Sequence, residues 1–506
     1  MKLDINYKKL TNLRDVFFYT VIIIFNSLST YNEIFGISIA LIGVIILLIY
    51  FINGNLKGYI KIFLLLLFSS IEVSRFAFGF EIETTYVYNF MRLPLINMYH
   101  FYLLMIIPLV MILRSNGIAL FMSRIKKYKS LRRIVKFTFL TLLFGFITSL
   151  FTILFNDNNI SNLNVFGEML KNDIIMFGAL FLICFYLSYL FTNDENNILY
   201  FEKFLVNYLF GLTVSTMITY IFGLHGYYGY SYNSEEVLLL PLAAFFSIML
   251  LIFPFYSEYK NRIHYYVIGI IILIVMIEYP SPLGGKWWII VISIQFIIGY
   301  RYVKSLTVSK VFKPYVFLIL IVILCIFIFN DYVLFSNDVI NSLSSIKLDQ
   351  AISTLNISRP NWYQGLPDSP KFRFDEFINV LMEYKEKPIY LFFGKGLGGS
   401  LVQHTNTLNW NNLSAFSEKE IMAGVYFKLH ESINIVFLKF GLFGLTMLIT
   451  IIMNSLSKIK NNPWIAIGIF WLLFFYGGYF SMYFGFIALI LGIIKVEAND
   501  SLGKRI

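Results

Sequence analysis

Cysteine and histidine are scarce in this chain of 506 residues, which contains 2 Cys and 5 His. Cys184 and Cys325 lie inside apolar runs and form no CxxC pair, so the sequence offers neither a disulfide framework nor a cysteine-based zinc site. The chain also lacks an HExxH motif, a Walker A motif, a Rossmann glycine fingerprint and a nucleophile elbow. We therefore expect no metal ion, no cofactor and no nucleotide-driven mechanism.

Charged residues are also few, at 14% of the chain, whereas hydrophobic residues make up 58% and aromatic residues 19%. Soluble domains contain about 25% charged residues, so this chain has too little polar material to cover a soluble core. Its apolar runs are continuous and reach roughly 20 residues, the length of a helix that crosses a bilayer. Transmembrane β-strands would instead alternate in hydrophobicity over short segments. The composition predicts an all-α polytopic membrane protein.

The basic residues, which give a formal net charge of +11, lie mainly in short loops beside the apolar runs. In that position they set membrane topology and meet anionic lipids, so the charge does not indicate a nucleic-acid partner. The most basic loop follows residue 113 and is expected to be cytoplasmic. The bias of Lys and Arg predicts that both termini are cytoplasmic, in a bacterial inner membrane.

We predict about 12–14 spans, with a bundle in 1–330, an extracytoplasmic loop domain in 331–428, and further spans with a short cytoplasmic tail in 429–506. The first eleven spans are expected near 15–30, 34–52, 61–74, 94–113, 135–155, 174–192, 200–223, 237–255, 264–279, 286–300 and 314–330. The twelfth is expected near 431–453, and the block 463–495 is divided into two spans at Gly477-Gly478. Segments 156–173 and 223–236 are expected to be outer loops.

Segment 331–428, which we call the loop segment, is too long to serve only as a connection between two spans. Its apolar periodicity predicts an amphipathic helix over 372–385, closed by Pro388, that lies on the outer membrane surface or over a cavity. Arg373 is expected in the first turn of this helix. The glycine-rich run from Gly394 to Gly399 is flexible and can expose backbone N–H groups to an anion. Alternatively, the same run forms only a tight turn.

His430 lies where the loop segment meets an apolar helix, with Glu431, Ser432 and Asn434 in the first turn. A histidine there can exchange a proton near neutral pH and act as a general base on a sugar hydroxyl, although a lone interfacial histidine also occurs as a structural residue. His404 is a second candidate.

Several cations are expected on the outer side, where they would suit a diphosphate leaving group. Lys286 can also be a lysine that extends toward the interface beside Trp287 and Trp288, and the two span-end arginines can also pair with nearby glutamates. These cations are Arg75, Arg92, Lys286, Arg373 and Lys395.

Three stretches together resemble a known family. Arg373 with its helix, the motif FFGKGLGG and the motif LHESINIVFLKFGLFGLTML are similar to the C-terminal signature of the O-antigen polymerase and O-antigen ligase superfamily. The similarity covers residues 372–446, and Ser281–Ile290 resembles an earlier segment of the family that carries Ser-x-Arg-Gly. Many spans with one long outer loop, a GT-C-like arrangement, is also typical of the family.

The resemblance implies an inverting, metal-independent transfer of a glycan from an undecaprenyl-diphosphate carrier. By position, Arg373 would stabilise the diphosphate and His430 would be the essential histidine. Lys286 stands where the family usually has arginine, which keeps the charge but loses the bidentate fork. Glu431 replaces the usual asparagine, and Lys439 replaces a frequent acidic residue. Substrate-binding roles are assigned to Arg75, Arg92, Lys395, Gly396, Gly398, Glu431 and His404.

These observations predict a glycosyltransferase that polymerises O-antigen or capsule, moving a growing glycan from its carrier onto a new lipid-linked repeat unit. Its partners would be the lipid-linked donor and acceptor, membrane lipids and a chain-length regulator. An alternative is a ligase that moves the finished glycan to lipid A core or another acceptor. A second alternative is a flippase for lipid-linked oligosaccharides, which predicts repeated halves and charges at the membrane midplane. The sequence contains no matching halves.

Overall fold

The structure is a computed structural model, and a defined set of segments is described. These are residues 12–28, 33–69, 103–154, 163–222, 225–227, 236–238, 253, 362–366, 368–405, 408–410, 416, 418–427, 429–473 and 479–503. The predicted site residues Arg75, Arg92 and Lys286 lie outside the described residues, as do the predicted spans near 264–279, 286–300 and 314–330.

The N-terminal part of the described chain is a set of helices that follow the long apolar runs of the sequence. Their bounds are α1 Leu13–Leu28, α2 Glu33–Ile52, α3 Leu56–Phe68, α4 Ile106–Arg114, α5 Gly117–Arg124, α6 Lys129–Leu154, α7 Leu163–Asn193 and α8 Asn196–Ile221. The predicted spans near 15–30, 34–52, 135–155 and 200–223 are confirmed as helices, because long runs of apolar residues without internal proline satisfy their own backbone only in this way.

The basic segment after residue 113 is helical rather than a loop, so that part of the prediction is wrong. Asn116 has φ 50°, which ends α4, and α5 then begins at Gly117. A short 3₁₀ turn, Ile125–Lys127, leads from α5 into α6. Lys and Arg are good helix formers, so a concentration of basic charge indicates the side of the membrane and not the backbone conformation.

The segment predicted as an outer loop over 156–173 is also partly helical, because α7 begins at Leu163. Within this early part of α7, Asp173 is fully buried. The segment 156–173 is rich in Asn and Asp, which favour loops over helices, so the helix was expected to begin only after Asp173. The tertiary contacts of Asp173, described below, explain why it is tolerated.

A small hairpin interrupts the otherwise helical architecture. Strands β1 (His225–Tyr227) and β2 (Glu236–Leu238) pair in antiparallel register, with His225 opposite Leu238 and Tyr227 opposite Glu236. The two strands fall within the predicted outer loop 223–236 and at the start of the eighth predicted span. The expected all-α class therefore holds for the described elements apart from this hairpin and an isolated bridge between Leu401 and Tyr426.

The loop segment contains three described helices, α9 (Asp368–Glu386), α10 (Ile389–Phe393) and α11 (Glu418–Ala423). The predicted helix over 372–385 is confirmed, and Pro388 separates α9 from α10 as expected because proline cannot continue a hydrogen-bonded helix. However, α9 begins at Asp368, so Arg373 lies in its second turn and the prediction of a first-turn arginine is wrong.

The C-terminal part contains α12 (Ser432–Leu456), α13 (Pro463–Leu473) and α14 (Tyr479–Gly503). The block 463–495, predicted to hold two spans, contains two helices, and the predicted division at Gly477-Gly478 lies outside the described residues. The two helices run antiparallel, since Gly468 faces Leu489 whereas Gly492 faces Ile465, and a Cβ added at Gly468 would lie 2.7 Å from the Leu489 amide nitrogen. Small residues let helices approach this closely.

Four described helical segments are long and apolar enough to cross a membrane, and a fifth qualifies if α4 and α5, which are bent by 91°, form one span. The four are Ile34–Ile52, Lys129–Leu154, Met169–Asn193 and Ser432–Leu456. A mostly helical, membrane-embedded protein is consistent with these segments. The total number of spans and the side that the loop segment faces stay predictions.

Candidate active site

The site begins with the spacing of two residues on α9. Arg373 and Glu376 are three residues apart and lie on the same face of the helix. That face meets the start of α12, where the backbone of His430 and the side chain of Asn434 both reach it. The Asn434 amide donates to the Arg373 carbonyl oxygen at 3.0 Å and to Glu376 Oε2 at 3.1 Å. Asn434 thereby joins the two helices.

Glu376 holds the imidazole of His430. Its Oε1 lies 2.5 Å from His430 Nδ1, and both of its oxygens lie 3.1 Å from the His430 backbone nitrogen, which donates to them. The Glu376 side chain is fully buried and that of His430 is 12% exposed. A buried carboxylate is costly unless donors surround it, and here three donor groups do so. The result is an oriented carboxylate–imidazole pair, which we call the dyad.

Aromatic rings pack against the imidazole. The Phe372 and Phe416 rings approach the His430 ring edge to face, with centroid separations of 5.3 and 5.7 Å. The Trp410 ring stacks on Phe372 at 5.6 Å. These contacts limit the orientation of the imidazole on the sides that Glu376 does not contact. The dyad is therefore held by packing as well as by hydrogen bonds.

Arg373 forms an ion pair beside the dyad. Its Nε lies 2.8 Å from Glu431 Oε1, and the two side chains are 21% and 24% exposed. Glu431 is the residue that precedes the first turn of α12, where the partial positive charge of the helix N-terminus favours a carboxylate. Arg373, His430 and Glu431, which we call the rim, are therefore adjacent and partly open to solvent or ligand.

Asp375, the neighbour of Glu376, has a structural position. Its carboxylate accepts hydrogen bonds from the Tyr363 hydroxyl at 2.9 Å, the Thr405 hydroxyl at 2.8 Å and the Trp410 indole N–H at 2.8 Å. It is fully buried. Asp375 therefore ties α9 to segments on both sides of it in the chain.

His404 is not brought to the rim. Its Nε2 lies 3.5 Å from Glu383 Oε1, and its Nδ1 lies 3.9 Å from Glu386 Oε1. Glu383 is two helical turns beyond Glu376, roughly 10 Å along the axis of α9. The structure thus places His404 near the C-terminal end of α9 and His430 near its middle, and a substrate-binding role for His404 stays a prediction.

The glycine-rich turn Gly394–Gly399 is buried among α6, α7 and α12. Every amide in it donates to a protein oxygen: those of Lys395 and Gly396 donate to the Leu438 and Lys439 carbonyls at 2.9 Å, and that of Leu397 to Gly145 at 3.0 Å. The Gly398 amide donates to Asp173 Oδ2 at 2.7 Å. The expectation that this run exposes its N–H groups is wrong, because the turn uses them to dock into the helix bundle.

The turn also explains a break in α12. Gly441 has φ 58° and ψ −154°, so the helical hydrogen bonds across it are lost. The carbonyls freed at Leu438 and Lys439 accept from the turn, and Tyr384 Oη donates to the Phe437 and Leu438 carbonyls at 2.6 and 3.0 Å. A broken helix in an apolar environment needs such replacement donors.

Two glycines interlock at this break. A Cβ at Gly441 would lie 2.6 Å from the Gly394 nitrogen, and a Cβ at Gly394 would meet the backbone of Lys439 and Phe440. Gly394 has φ 70°, a conformation that favours glycine. The first glycine of FFGKGLGG and the first glycine of KFGLFG are therefore both required by one close backbone contact.

Two lysines beside the turn are buried in ion pairs. Lys395 Nζ lies 2.5 Å from Glu383 Oε2 and donates to the Ser400 carbonyl at 2.7 Å. Lys439 Nζ lies 2.6 Å from Asp173 Oδ2, and both side chains are fully buried. These contacts favour a structural role for Lys395, Gly396 and Gly398 over the predicted contact with substrate. We call Gly394–Gly399 together with Gly441, Lys439 and Asp173 the anchor.

Of the predicted site residues within the described chain, the structure brings Arg373, His430 and Glu431 together. Sequence reasoning assigned no role to Glu376, although its spacing from Arg373 on an amphipathic helix marked the face that carries both. Asn434 was noted only as part of the first turn. Within the described segments, no group of three or more His, Cys, Asp or Glu side chains is arranged to hold a metal ion.

The arrangement suits proton transfer beside an anion. An imidazole whose Nδ1 is held by a carboxylate can exchange a proton through its other ring nitrogen. A partly exposed guanidinium next to it can bind phosphate or carboxylate oxygens. Comparison with protein-family models, curated proteins and solved structures finds no match for the chain.

Proposed function

We propose that this protein is a membrane glycosyltransferase that polymerises a polysaccharide, transferring a growing glycan from undecaprenyl diphosphate onto a lipid-linked repeat unit. The observation that supports it most directly is the junction of α9 and α12. There a carboxylate-held imidazole and a partly exposed arginine lie side by side, in the two motifs that resemble the O-antigen polymerase and ligase superfamily.

In the proposed step, His430 takes the proton of an acceptor hydroxyl while that oxygen attacks the anomeric carbon of the donor glycan. The bond between the anomeric carbon and the diphosphate oxygen breaks, and its electron pair leaves with the diphosphate. Attack from the face opposite the leaving group inverts the anomeric configuration. Arg373 stabilises the negative charge that develops on the diphosphate. The imidazolium then releases its proton to solvent.

The charge of the described cluster sets a further requirement. Glu376 and Glu431 contribute two carboxylates against the one guanidinium of Arg373, so a diphosphate needs additional cations nearby. The cations predicted for this role are Arg75, Arg92 and Lys286. Binding of a phosphate oxygen to Arg373 would compete with its contact to Glu431.

The test is complementation of a deletion strain with wild-type protein, His430→Ala and Arg373→Ala at matched membrane levels. General base catalysis contributes about 10²–10⁴-fold, so we expect His430→Ala to abolish long chains while single repeat units remain attached. The control is Lys385→Ala, which removes an exposed cation from the same helix. Full chain elongation by both site variants would overturn the proposal.

The same experiment separates the ligase alternative. Loss of every attached unit in the deletion strain, rather than loss of long chains alone, would identify transfer to the final acceptor as the activity. Both reactions use the same donor, so the roles of Arg373 and His430 would carry over and the polymerase assignment would be withdrawn.

A further inference from the structure

The two oxygens of Glu376 face only donors among the described residues. Oε1 faces His430 Nδ1 and the His430 backbone N–H, and Oε2 faces that same N–H and the Asn434 amide. A carboxylate has no hydrogen to offer and can accept from all of these groups at once. Its complete burial means that neither oxygen exchanges these partners for water.

This geometry decides where the imidazole carries its proton. Nδ1 donates to the carboxylate, so in the neutral ring the lone pair is on Nε2. We infer that Glu376 is a positioning residue, which fixes the Nε2-basic tautomer of His430 and stabilises the imidazolium formed when the acceptor hydroxyl is deprotonated. This inference rests on the function proposed above.

The proton is accounted for without protonation of Glu376. It moves from the acceptor oxygen to Nε2, both ring nitrogens then carry hydrogen, and Nδ1–H remains bonded to the carboxylate. Glu376 on α9 is a carboxylate in contact with the ring, and Arg373 on the same helix pairs with Glu431, the residue that follows His430.

Two substitutions separate orientation from packing. In Glu376→Gln, one oxygen becomes an NH₂ group, so whichever way the amide turns it places a donor against Nδ1–H or against the Asn434 amide. The ring can relieve the first conflict only by moving its proton to Nε2, which removes the base. In Glu376→Asp, the carboxylate remains but withdraws by about 1.5 Å, the length of one C–C bond.

The experiment measures kcat and KM of chain elongation by purified wild-type protein, Glu376→Gln, Glu376→Asp and His430→Ala. For Glu376→Gln we expect kcat to fall by about 10²-fold or more, with KM for the lipid-linked donor changed by less than about threefold. Glu376→Asp keeps a carboxylate that can accept from Nδ1–H, and we expect it to recover part of kcat.

The control is Glu386→Gln, which neutralises a carboxylate on the same helix whose side chain is 68% exposed. It is expected to leave kcat and KM unchanged. A structural role alone for Glu376 predicts loss of folded protein with a wild-type kcat in the fraction that folds. A wild-type kcat in Glu376→Gln, or the same loss of kcat in Glu376→Asp, would overturn the inference.

A second readout does not depend on activity. With only 5 histidines in the chain, ¹⁵N-labelled histidine gives a simple NMR spectrum, and the His430 signals are those that His430→Ala removes. We expect the Nδ1–H tautomer in the wild type, and an Nε2–H signal there would contradict the inference. If His430→Ala elongates chains normally, the proposed function fails. If only Glu376→Gln does so, the proposed function stands and Glu376 has no positioning role.

Discussion

The rim and the anchor are built from the same kinds of residue but differ in burial and pairing. In the rim, Arg373 and Glu431 are each more than one-fifth exposed. In the anchor, Lys439 and Asp173 are fully buried and the turn amides all donate to protein oxygens. A cation and a carboxylate therefore form a buried structural contact in the anchor and a partly exposed pair in the rim.

The comparison changes the interpretation of the glycine motif. FFGKGLGG has the composition of an anion-binding turn, and its lysine would add a positive charge to such a site. In the structure the motif repairs the break in α12 at Gly441 and ties the loop segment to the helix bundle. The candidate chemistry lies instead at the rim, in residues that the anchor holds in place through α9 and α12.

The largest expected effect comes from closing the space between the two interlocked glycines. Gly441→Ala adds a Cβ 2.6 Å from the Gly394 nitrogen, on top of a backbone at φ 58°. We expect a loss of about 4 kcal/mol or more in the free energy of unfolding, seen as loss of folded protein in detergent. The control is Gly424→Ala, at φ 63° with no atom within 4 Å, which should cost only about 1–2 kcal/mol. Equal losses would show that the close contact is unimportant.

The next largest effect is expected in the anchor, where a substitution distinguishes a structural role from a role in binding substrate. Lys439→Met removes the lysine that pairs with the fully buried Asp173 carboxylate, and we expect a loss of about 3–5 kcal/mol in the free energy of unfolding, measured by thermal unfolding. Adding Asp173→Asn removes that charge and keeps an oxygen for the Gly398 amide, so most of the stability should return. The double variant should also elongate chains, whereas a substrate-binding lysine would leave it stable but inactive.

Tyr384→Phe tests the hydrogen bonds at the break in α12 at a smaller scale, with an expected loss of about 1 kcal/mol. Burial raises the pKa of Tyr384 well above its usual value, so the folded state holds the phenol proton more tightly than the unfolded chain. This contribution is therefore present below about pH 10 and is lost as the pH rises further. Thermal unfolding at pH 8 and pH 11 should show the difference between wild type and variant shrinking at the higher pH.

The smallest effect is expected at the rim. Glu431→Gln removes a partly exposed partner of Arg373, so the free energy of unfolding should change by less than about 1 kcal/mol. Without this ion pair, the Arg373 guanidinium should bind the diphosphate more readily, and the KM for the lipid-linked donor should fall by less than about tenfold. A large loss of stability would instead show that Glu431 has a structural role like that of the anchor residues. The rim and the anchor would then not differ in what their ion pairs contribute to stability.

Local sequence determined the helical elements and the location of the junction. Long apolar runs determined α2, α6 and α12, and periodicity with Pro388 determined α9, because these signals depend on neighbours within a few helical turns. The same signals placed His430 at the end of the loop segment. They placed the start of α7 too late, since Asp173 has no local partner that would justify its burial.

Tertiary structure decided which of the charged and glycine residues are structural and which are open to a substrate. Glu376 and His430 are separated by 54 positions, and Gly398 and Asp173 by 225. No local pattern specifies such pairs, because the energy of a buried charge or amide depends on partners that only the folded chain brings within hydrogen-bond distance. For this reason the sequence indicated Arg373 and His430 as candidates. Only the folded structure showed that Glu376 contacts His430 and that the glycine motif is part of the anchor.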